Sequence, residues 1–594
     1  KVYNNPAIDV YMWGFPLKTK DIFFDRAINE NGWSVAVVSQ MPCANDEKPE
    51  RKVVGFFTPG ANIYTNRESN FLMVIHMERK GSPISKGTTL FAGIASINCI
   101  TGDNEFIQYP DRASVSDEVI YDEITKMISN KNPSEILFYV DSTIKLSDDD
   151  VCNLFHLNDR NYSVITEIPK EVKNIAFQKN LLGNVYFPLK KPSNIFQKLD
   201  LCDYPVCQTT LTLLIKYILE RCPDIISRLQ LPTVEHRTDT NLVLANNALE
   251  QLSIVSNSKN NFTYQRNKPL LTILQRTKTP MGTRLFREHL LNPISDPNKL
   301  QKRYNKLSQM INFLKTTDNK YEKHDRHDKH EQKMNNILRD IGDIKRMHRE
   351  FHMNKVQVYS IPNIYSTIKN SLELIHLVQS FKVEPALSDL FKSMTLTRIA
   401  SLDKMVADIT KTFDLEKCTN TLEKLENNPF NEGWNTELDE LQTTLDTERD
   451  IIDILLNKLS EIAKNPKDKD NIIFNKRKNK QLGHYICGTE SRVARVKKYL
   501  EDGNNIVIGK TVITKDDIWF KPLSRGVIQV ITECISCSGS NQITHTYNMR
   551  KLLTQLFSEW SDKFITEHNK IMLKLSDYIA KLDLIITSAR VSIN

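Results

Sequence analysis

The side chains best suited to ligand chemistry are the basic residues between Lys464 and Lys498. This stretch holds eleven Lys or Arg against three acids, a local excess of eight positive charges. The formal net charge of the whole 594-residue chain is +8, so the rest of the chain is near balance. Lys and Arg bind nucleic-acid phosphates and displace condensed counterions, which gives affinity that does not depend on base sequence. We predict phosphate contacts for Lys476, Arg477, Lys478, Lys480, Arg492, Arg495, Lys497 and Lys498. A solvated charged surface without a ligand is the alternative interpretation.

Two motifs resemble ligand sites, but their spacing predicts otherwise. The run GNNIVIGKT, which starts at Gly503, has five residues between its glycines. A nucleotide-binding P-loop has four, so that successive amides converge on the phosphates, and it is followed by a helix where this chain has a strand-like segment. Cys534 and Cys537 form one C-x-x-C without a second ligand pair. We therefore predict that they are small strand residues and not a zinc site.

A charged insert, 317–332, contains His324, His327 and His330. Histidines spaced by three could hold a metal from one helix face, but no nearby cysteine or carboxylate pair completes a site, so a solvated loop is predicted. No Ser/His/Asp arrangement indicates a catalytic centre. The sequence predicts no catalytic, cofactor-binding or metal-binding residue within this chain.

The composition narrows the class of protein. With 40% hydrophobic and 26% charged residues it is typical of soluble proteins, and its length suggests about four domains. Ten scattered cysteines indicate free thiols in a reducing compartment. The sequence lacks an apolar run of about 20 residues and a signal-peptide pattern, so we expect no membrane partner. The chain starts at Lys1 and ends at Asn594 within a helical pattern, and we expect both ends to lie inside a longer protein.

The elements that position these residues are organised around a helix–break–helix corner, Leu271–Leu300. Thr279 is predicted to cap a helix that begins at Pro280, because proline needs no amide partner at that position. Asn292-Pro293 should end this helix, and Asp296-Pro297 should start the next.

The same stretch resembles the core-domain signature of MutS mismatch-repair proteins, "D-R-T-x-T-x-M-G-x-R-L-L-R-x-W-L-x-x-P-x-x-D". The residues in register are Arg276, Thr277, Thr279, Met281, Gly282, Arg284, Leu285, Leu290, Pro293 and Asp296. Further segments similar to the family are Ile337–Arg346 and PFNEGWNTELDELQ from Pro429. The basic insert is more similar to the branch of giant DNA viruses and octocoral mitochondria than to the bacterial form.

The resemblance implies a multidomain, mainly α fold with α/β and β modules. Residues 1–65 resemble part of the α/β mismatch-binding domain. Its Phe-x-Glu wedge motif does not precede Ala7, and Phe15 and Phe23 are predicted to be core residues and not substitutes. Residues 66–195 follow an RNase H-like order of three strands, a helix and a strand, as in the family's connector domain. Their first strand, FLMVIHM, has no carboxylate to bind Mg²⁺, so no nuclease is predicted.

The remaining domains follow in family order. Residues 196–445 correspond to the helical core and first lever, 446–545 to a β-rich clamp, and 546–594 to a returning lever. Apolar residues spaced by seven predict long helices on both sides of the clamp, the second about 40 residues long. In the family an ATPase domain follows, with ATP and Mg²⁺ as cofactors, and this chain carries no ATPase site.

The resemblance therefore implies a mismatch-recognition protein that binds mismatched double-stranded DNA as a homodimeric clamp and switches with ATP. A downstream repair factor or nuclease is an implied partner. The implied location is intracellular, at DNA, in a nucleus, viral factory, virion or mitochondrion. A MutS-related protein of recombination or junction binding without mismatch recognition and a non-catalytic helical scaffold stay open as alternatives.

Overall fold

The chain is mainly helical with several small sheets, and it divides into two compact units. Unit 1 comprises residues 1–356, 366–402 and 565–594, and unit 2 comprises 357–365 and 403–564. This confirms a multidomain, mainly helical fold, while the finer domain identities stay predictions. The computed structural model describes residues 2–5, 10–13, 19–40, 50–63, 69–81, 88–110, 116–158, 160–188, 191–234, 248–255, 268–316, 327–380, 385–420, 427–464, 473–479, 483–508, 511–524 and 526–593.

The described residues form sixteen strands and nineteen α-helices. The strands are β1 (Val2–Asn5), β2 (Val10–Trp13), β3 (Val35–Gln40), β4 (Arg51–Phe57), β5 (Phe71–Gly81), β6 (Thr88–Asn98), β7 (Asn104–Tyr109), β8 (Glu135–Val140), β9 (Tyr162–Ile165), β10 (Thr233–Val234), β11 (Asn475–Asn479), β12 (Gly483–Thr489), β13 (Ile506–Ile508), β14 (Thr511–Ile513), β15 (Ile518–Ser524) and β16 (Val527–Thr532). The helices are α1 (Lys20–Asp25), α2 (Asp117–Lys131), α3 (Asp148–Phe155), α4 (Ile175–Tyr186), α5 (Ile195–Lys198), α6 (Pro205–Arg221), α7 (Ala248–Gln251), α8 (Leu270–Leu274), α9 (Pro280–Leu291), α10 (Pro297–Thr316), α11 (His327–Arg339), α12 (Ile344–His352), α13 (Ile361–Gln379), α14 (Pro385–Phe391), α15 (Leu396–Thr412), α16 (Leu415–Asn420), α17 (Thr436–Ala463), α18 (Glu490–Glu501) and α19 (Glu533–Ile593).

Unit 1 contains a six-stranded mixed sheet in the order β10-β7-β6-β5-β8-β9. Leu72 and Val74 of β5 enter the core on one face, and Met73, Ile75 and Met77 enter the core on the other. A strand buried on both faces has a continuous apolar sequence, which explains FLMVIHM. The predicted succession of three strands, a helix and a strand is confirmed as β5, β6, β7, α2 and β8.

The core on the α6 face crosses two predicted domain boundaries. It includes Phe57 and Ala61 from before residue 65, and Leu211 and Leu214 of α6 from after residue 195. In addition, β10 pairs with β7 in parallel. This core therefore continues across residues 65 and 195, and all the domain boundaries stay predictions.

The helix–break–helix corner forms as predicted. The side chain of Thr279 accepts a hydrogen bond from the amide of Gly282 at 3.0 Å and so caps α9, which begins at Pro280. The next helix, α10, begins at Pro297, and the side chain of Asp296 accepts from the amide of Asn298 at 2.8 Å. The cap and proline signals therefore predicted both helix starts correctly.

Unit 2 contains α17, α18 and a four-stranded antiparallel sheet in the order β11-β12-β16-β15. The strands β13 and β14 form a separate hairpin. The apolar residues of α17 predicted by the seven-residue repeat are buried at Leu438, Leu445, Ile452, Leu455 and Leu459. The last three of these share one core with the sheet and α18.

The structure corrects four expectations. Residues 327–332 belong to α11 and not to the predicted loop. The helix α19 has 61 residues instead of about 40, and it begins at Glu533. Its early buried positions include Ser538 and Gln542, so polar side chains hide the helical period there. Cys534 and Cys537 are consequently helical residues and not strand residues. Phe23 is 42% exposed, so the prediction of a core residue was wrong, while Phe15 lies outside the described residues.

Among the described residues, we find no helix with the length and apolar character needed to span a membrane.

Candidate nucleic-acid interface

The four-stranded sheet distributes the predicted basic residues over two faces. Cross-strand partners in a sheet share a face, and Lys476, Ile486, Val530 and Phe520 form one continuous row. Ile486 and Val530 are fully buried against α17 and α18, so this row lies on the inner face of the sheet. Because β11 is an edge strand, the side chain of Lys476 stays accessible and forms an ion pair with Asp453 of α17.

Lys478 lies two residues further along β11, opposite His484. Nδ1 of the His484 ring lies 2.6 Å from Oε1 of Gln542, which is a hydrogen-bonding distance. Burial lowers the pKa of His484, and the charges of Lys478 and Lys476 lower it further, although the hydrogen bond opposes them. The positive charge at this edge is therefore carried by the lysines.

The outer face of the sheet combines basic and aromatic side chains. We define it by Arg477, Tyr485, Trp519 and Lys521, which surround the buried residues Cys487 and Gln529. Arg477 pairs with Tyr485, and the row Asn475, Cys487, Gln529 and Lys521 is continuous across the four strands. Trp519 is 55% exposed, and Arg477 and Lys521 are also exposed.

Trp519 and Lys521 were not among the residues predicted from the sequence. Their alternation in the run IWFKPLS signals a strand with two different faces. It does not say which face is covered by α18, and that information comes only from the packing. The aromatic and basic members of the outer face are brought together from three separate strands.

Two of the residues predicted to contact phosphates donate hydrogen bonds to backbone carbonyl oxygens of the protein itself. Arg492 donates to the carbonyl oxygen of Ile473, and Arg495 Nη1 donates to that of Ala463 at 2.6 Å. Both are half-buried on α18, beside the buried Val493 and Val496. These two bonds fix the chain where α17 ends and just before β11 begins.

The two lysines of α18 are placed differently. Lys497 and Lys498 are exposed, and Lys497 Nζ lies 5.0 Å from the ring centroid of Phe520, within the range of a cation–π contact. Of the eight predicted residues, seven are described and lie in unit 2, and Lys480 lies outside the described residues.

The remaining motifs do not form the sites they resemble. In the run from Gly503, Ile508 pairs with Thr511 in the antiparallel hairpin of β13 and β14. This segment does not fit a nucleotide phosphate, because a P-loop requires a helix at that point. Burial raises the pKa of Cys534, which favours its thiol over the thiolate that binds metal. His324 lies outside the described residues, as do the side chains of His327 and His330.

A family model described as MutS domain III matches residues 247–589, more than half of the chain. The chain belongs to the MutS family. The MutS match includes the corner at α9 and α10, the long helix α17, the long helix α19 up to residue 589, and the whole four-stranded sheet. All eight predicted phosphate contacts and the outer face therefore lie within the MutS domain III region.

Curated MutS relatives are similar over nearly the whole chain. A putative DNA mismatch repair protein MutS homologue of Acanthamoeba polyphaga mimivirus is 22% identical, over 95% of this chain and 51% of the relative. DNA mismatch repair proteins MutS of Thermotoga sp. (strain RQ2) and Petrotoga mobilis are 21% and 25% identical, each over 98% of this chain and 61% of the relative. The chain thus spans between half and three fifths of the length of these MutS proteins.

Proposed function

We propose that this chain is the DNA-contacting part of a mismatch-recognition protein that binds mismatched duplex DNA. The observation that carries the proposal is the four-stranded sheet with its basic residues, set between α17 and α19 within the matched MutS region. The two helices contact each other there, since Gln542 Nε2 donates to the carbonyl oxygen of Glu448 at 2.9 Å. In this proposal the long helices are the levers and the sheet with α18 is the clamp.

The contact to DNA is electrostatic in the first place. Lys476, Arg477, Lys478, Lys497 and Lys498 are exposed, and each phosphate that they neutralise releases counterions. Such contacts position the protein on the duplex without reading its sequence. Trp519 and Tyr485 add apolar surface on the outer face, where sugar and base groups can pack against them.

We further propose that the full-length protein acts as a homodimer whose two clamps close around one duplex. ATP and Mg²⁺ would act outside these 594 residues, and a wedge side chain would test each step for the ease of kinking that a mismatch provides. A downstream repair factor or nuclease would be recruited afterwards. The similarity to a mimivirus protein supports a viral or related branch, and an intracellular location at DNA follows from the proposed function.

Site-specific photo-crosslinking tests the DNA contact. A photo-reactive amino acid replaces Arg477 in one protein and Trp519 in another, and each is irradiated with a labelled duplex that contains one mismatch. A third protein carries the same group in place of Tyr547, an exposed aromatic residue of α19 in unit 2. We expect crosslinks from positions 477 and 519 well above those from 547. Equal crosslink yields from all three positions, or no crosslinks from any of them, would favour the alternative of a helical scaffold that does not bind DNA.

A further inference from the structure

A polar cavity of about 420 Å³ lies in unit 1, next to the corner motif. One wall is residues 275–278, which lead into α9, and the other is the end of α19. Three of the lining residues are Arg276, Lys278 and Arg590, and of the described residues that line the cavity none is acidic. A cavity with three cationic side chains and no carboxylate suits an anion.

Within the part of the chain that the structure describes, the two cations of the first wall, Arg276 and Lys278, form no side-chain hydrogen bond or ion pair. Arg276 is exposed and Lys278 is half-buried. On the second wall, Arg590 Nη1 donates to Asn335 Oδ1 at 3.2 Å, which holds this guanidinium in place.

The acidic residue nearest in sequence to the lining residues is Asp583, and its carboxylate already accepts several hydrogen bonds. Asp583 lies one helical turn before Thr587, and it accepts hydrogen bonds from the amides of Lys278 and Thr279 and from the side chain of Thr279. Thr587 Oγ1 donates to the same carboxylate at 3.3 Å. Asp583 is fully buried, its oxygens are occupied by these donors, and it does not line the cavity.

These contacts also keep the cavity in a fixed shape. The amides of Lys278 and Thr279 are held by Asp583, and Thr279 caps α9 through Gly282. A Cβ at Gly282 would lie 2.3 Å from Asp583 Oδ2, so α9 and α19 approach each other beside the cavity as closely as a glycine allows. A binding site with fixed walls loses little conformational entropy when a ligand enters.

We propose that this cavity binds an oxyanion, a phosphate or a carboxylate group, through Arg276, Lys278 and Arg590. Planar carboxylates and phosphates accept paired hydrogen bonds from guanidinium groups, and lysine adds a point charge. The source is either a free phosphate compound or an acidic side chain of a protein segment. This inference does not depend on DNA binding by unit 2.

The test follows thermal unfolding of the full chain at constant ionic strength with inorganic phosphate and, separately, with glutarate. Proteins compared are the wild type, the double variant Arg276→Gln/Lys278→Gln, and a charge-matched control, Lys302→Gln/Lys306→Gln on α10. The control is needed because phosphate also stabilises folded proteins by exclusion from their surface. The single variant Arg276→Gln replaces the double variant if the latter does not fold.

We expect the wild type and the control to be stabilised by the same concentration of anion. The cavity variant should need a roughly tenfold higher anion concentration for the same stabilisation, because both of the charges that it lacks face the ligand. A response to phosphate alone indicates a phosphate source, and a response to glutarate alone indicates an acidic side chain. If the cavity variant responds as the control does, or if the wild type responds to neither anion, the proposal is wrong.

Discussion

The carboxylate of Asp583 accepts a 2.7 Å hydrogen bond from the backbone amide of Thr279, although 304 residues separate them in the chain. The same carboxylate accepts from the hydroxyl of Thr279 at 2.8 Å. Burial raises the pKa of Asp583, while the donors around it oppose that shift. This group joins the end of the 61-residue helix to the start of α9 and so fixes the corner on which the helical part of unit 1 is built.

The first prediction concerns this junction. Replacing Asp583 with Asn leaves one acceptor oxygen in place of two, and it removes the charge that strengthens the hydrogen bonds from Lys278, Thr279 and Thr587. We expect Asp583→Asn to lower the free energy of unfolding by about 2 to 3 kcal/mol. Urea unfolding measures the effect, with Asp577→Asn, a change at an exposed residue of the same helix, as the control. Equal stability of the two variants would mean that the junction does not hold the corner.

A second prediction concerns acid stability. His76 in β5 is buried, and among the described residues neither ring nitrogen has a hydrogen-bond partner. Burial lowers its pKa from 6.5 to about 4. Between these two pH values the unfolded chain therefore binds a proton at His76 when the folded chain does not, and stability falls as the pH falls through this window.

The expected loss from His76 between about pH 7 and about pH 5 is about 2 kcal/mol. His76→Met should remove that part of the pH dependence, as measured by urea unfolding at the two pH values. His376→Met, a change at an exposed histidine, should leave it intact. If His76→Met loses as much stability between these two pH values as the wild type does, His76 is not the source of that loss.

A third prediction separates structural from ligand-facing cations. We expect Arg495→Ala to destabilise unit 2 by about 1 to 2 kcal/mol, because the carbonyl of Ala463 is then without its charged donor. Lys498→Ala, a change at an exposed position further along α18, should leave stability unchanged. Urea unfolding followed by far-UV circular dichroism compares the two variants. If both are as stable as the wild type, the bond from Arg495 to Ala463 does not stabilise unit 2.

These cases show how far the sequence leads. The starts of α9 and α10 were predictable because capping at Thr279 and the prolines at 280 and 297 are local signals. The role of Arg495 was not, since a basic side chain on a helix has the same sequence pattern whether it meets a phosphate or a carbonyl. Trp519 was missed because strand alternation does not identify the exposed face. The start of α19 was missed because Ser538 and Gln542 are polar residues at buried positions.

A fourth prediction concerns the outer face. Trp519→Ala should weaken duplex binding by roughly fivefold, or about 1 kcal/mol, because the variant loses the apolar surface of the ring that packs against the DNA. The salt dependence of binding should not change, because the substitution removes no charge. Fluorescence anisotropy with labelled duplex measures both quantities, and Tyr547→Ala is the matched control. An unchanged affinity would remove Trp519 from the interface.

The central claim, DNA contact through the basic residues of the four-stranded sheet, is tested most directly by the salt dependence of duplex binding. Anisotropy titrations at several salt concentrations compare the wild type with a variant in which Lys476, Arg477, Lys478 and Lys480 are all replaced by Ala. A second variant replaces Lys551, Lys563, Lys570 and Lys574 of α19 by Ala and so removes the same charge. We predict that the first variant binds more weakly and that its salt slope falls by about one for each phosphate that it no longer neutralises, while the second keeps the wild-type slope. Equal slopes for the two variants, or no duplex binding by the wild type, would contradict DNA contact through this sheet.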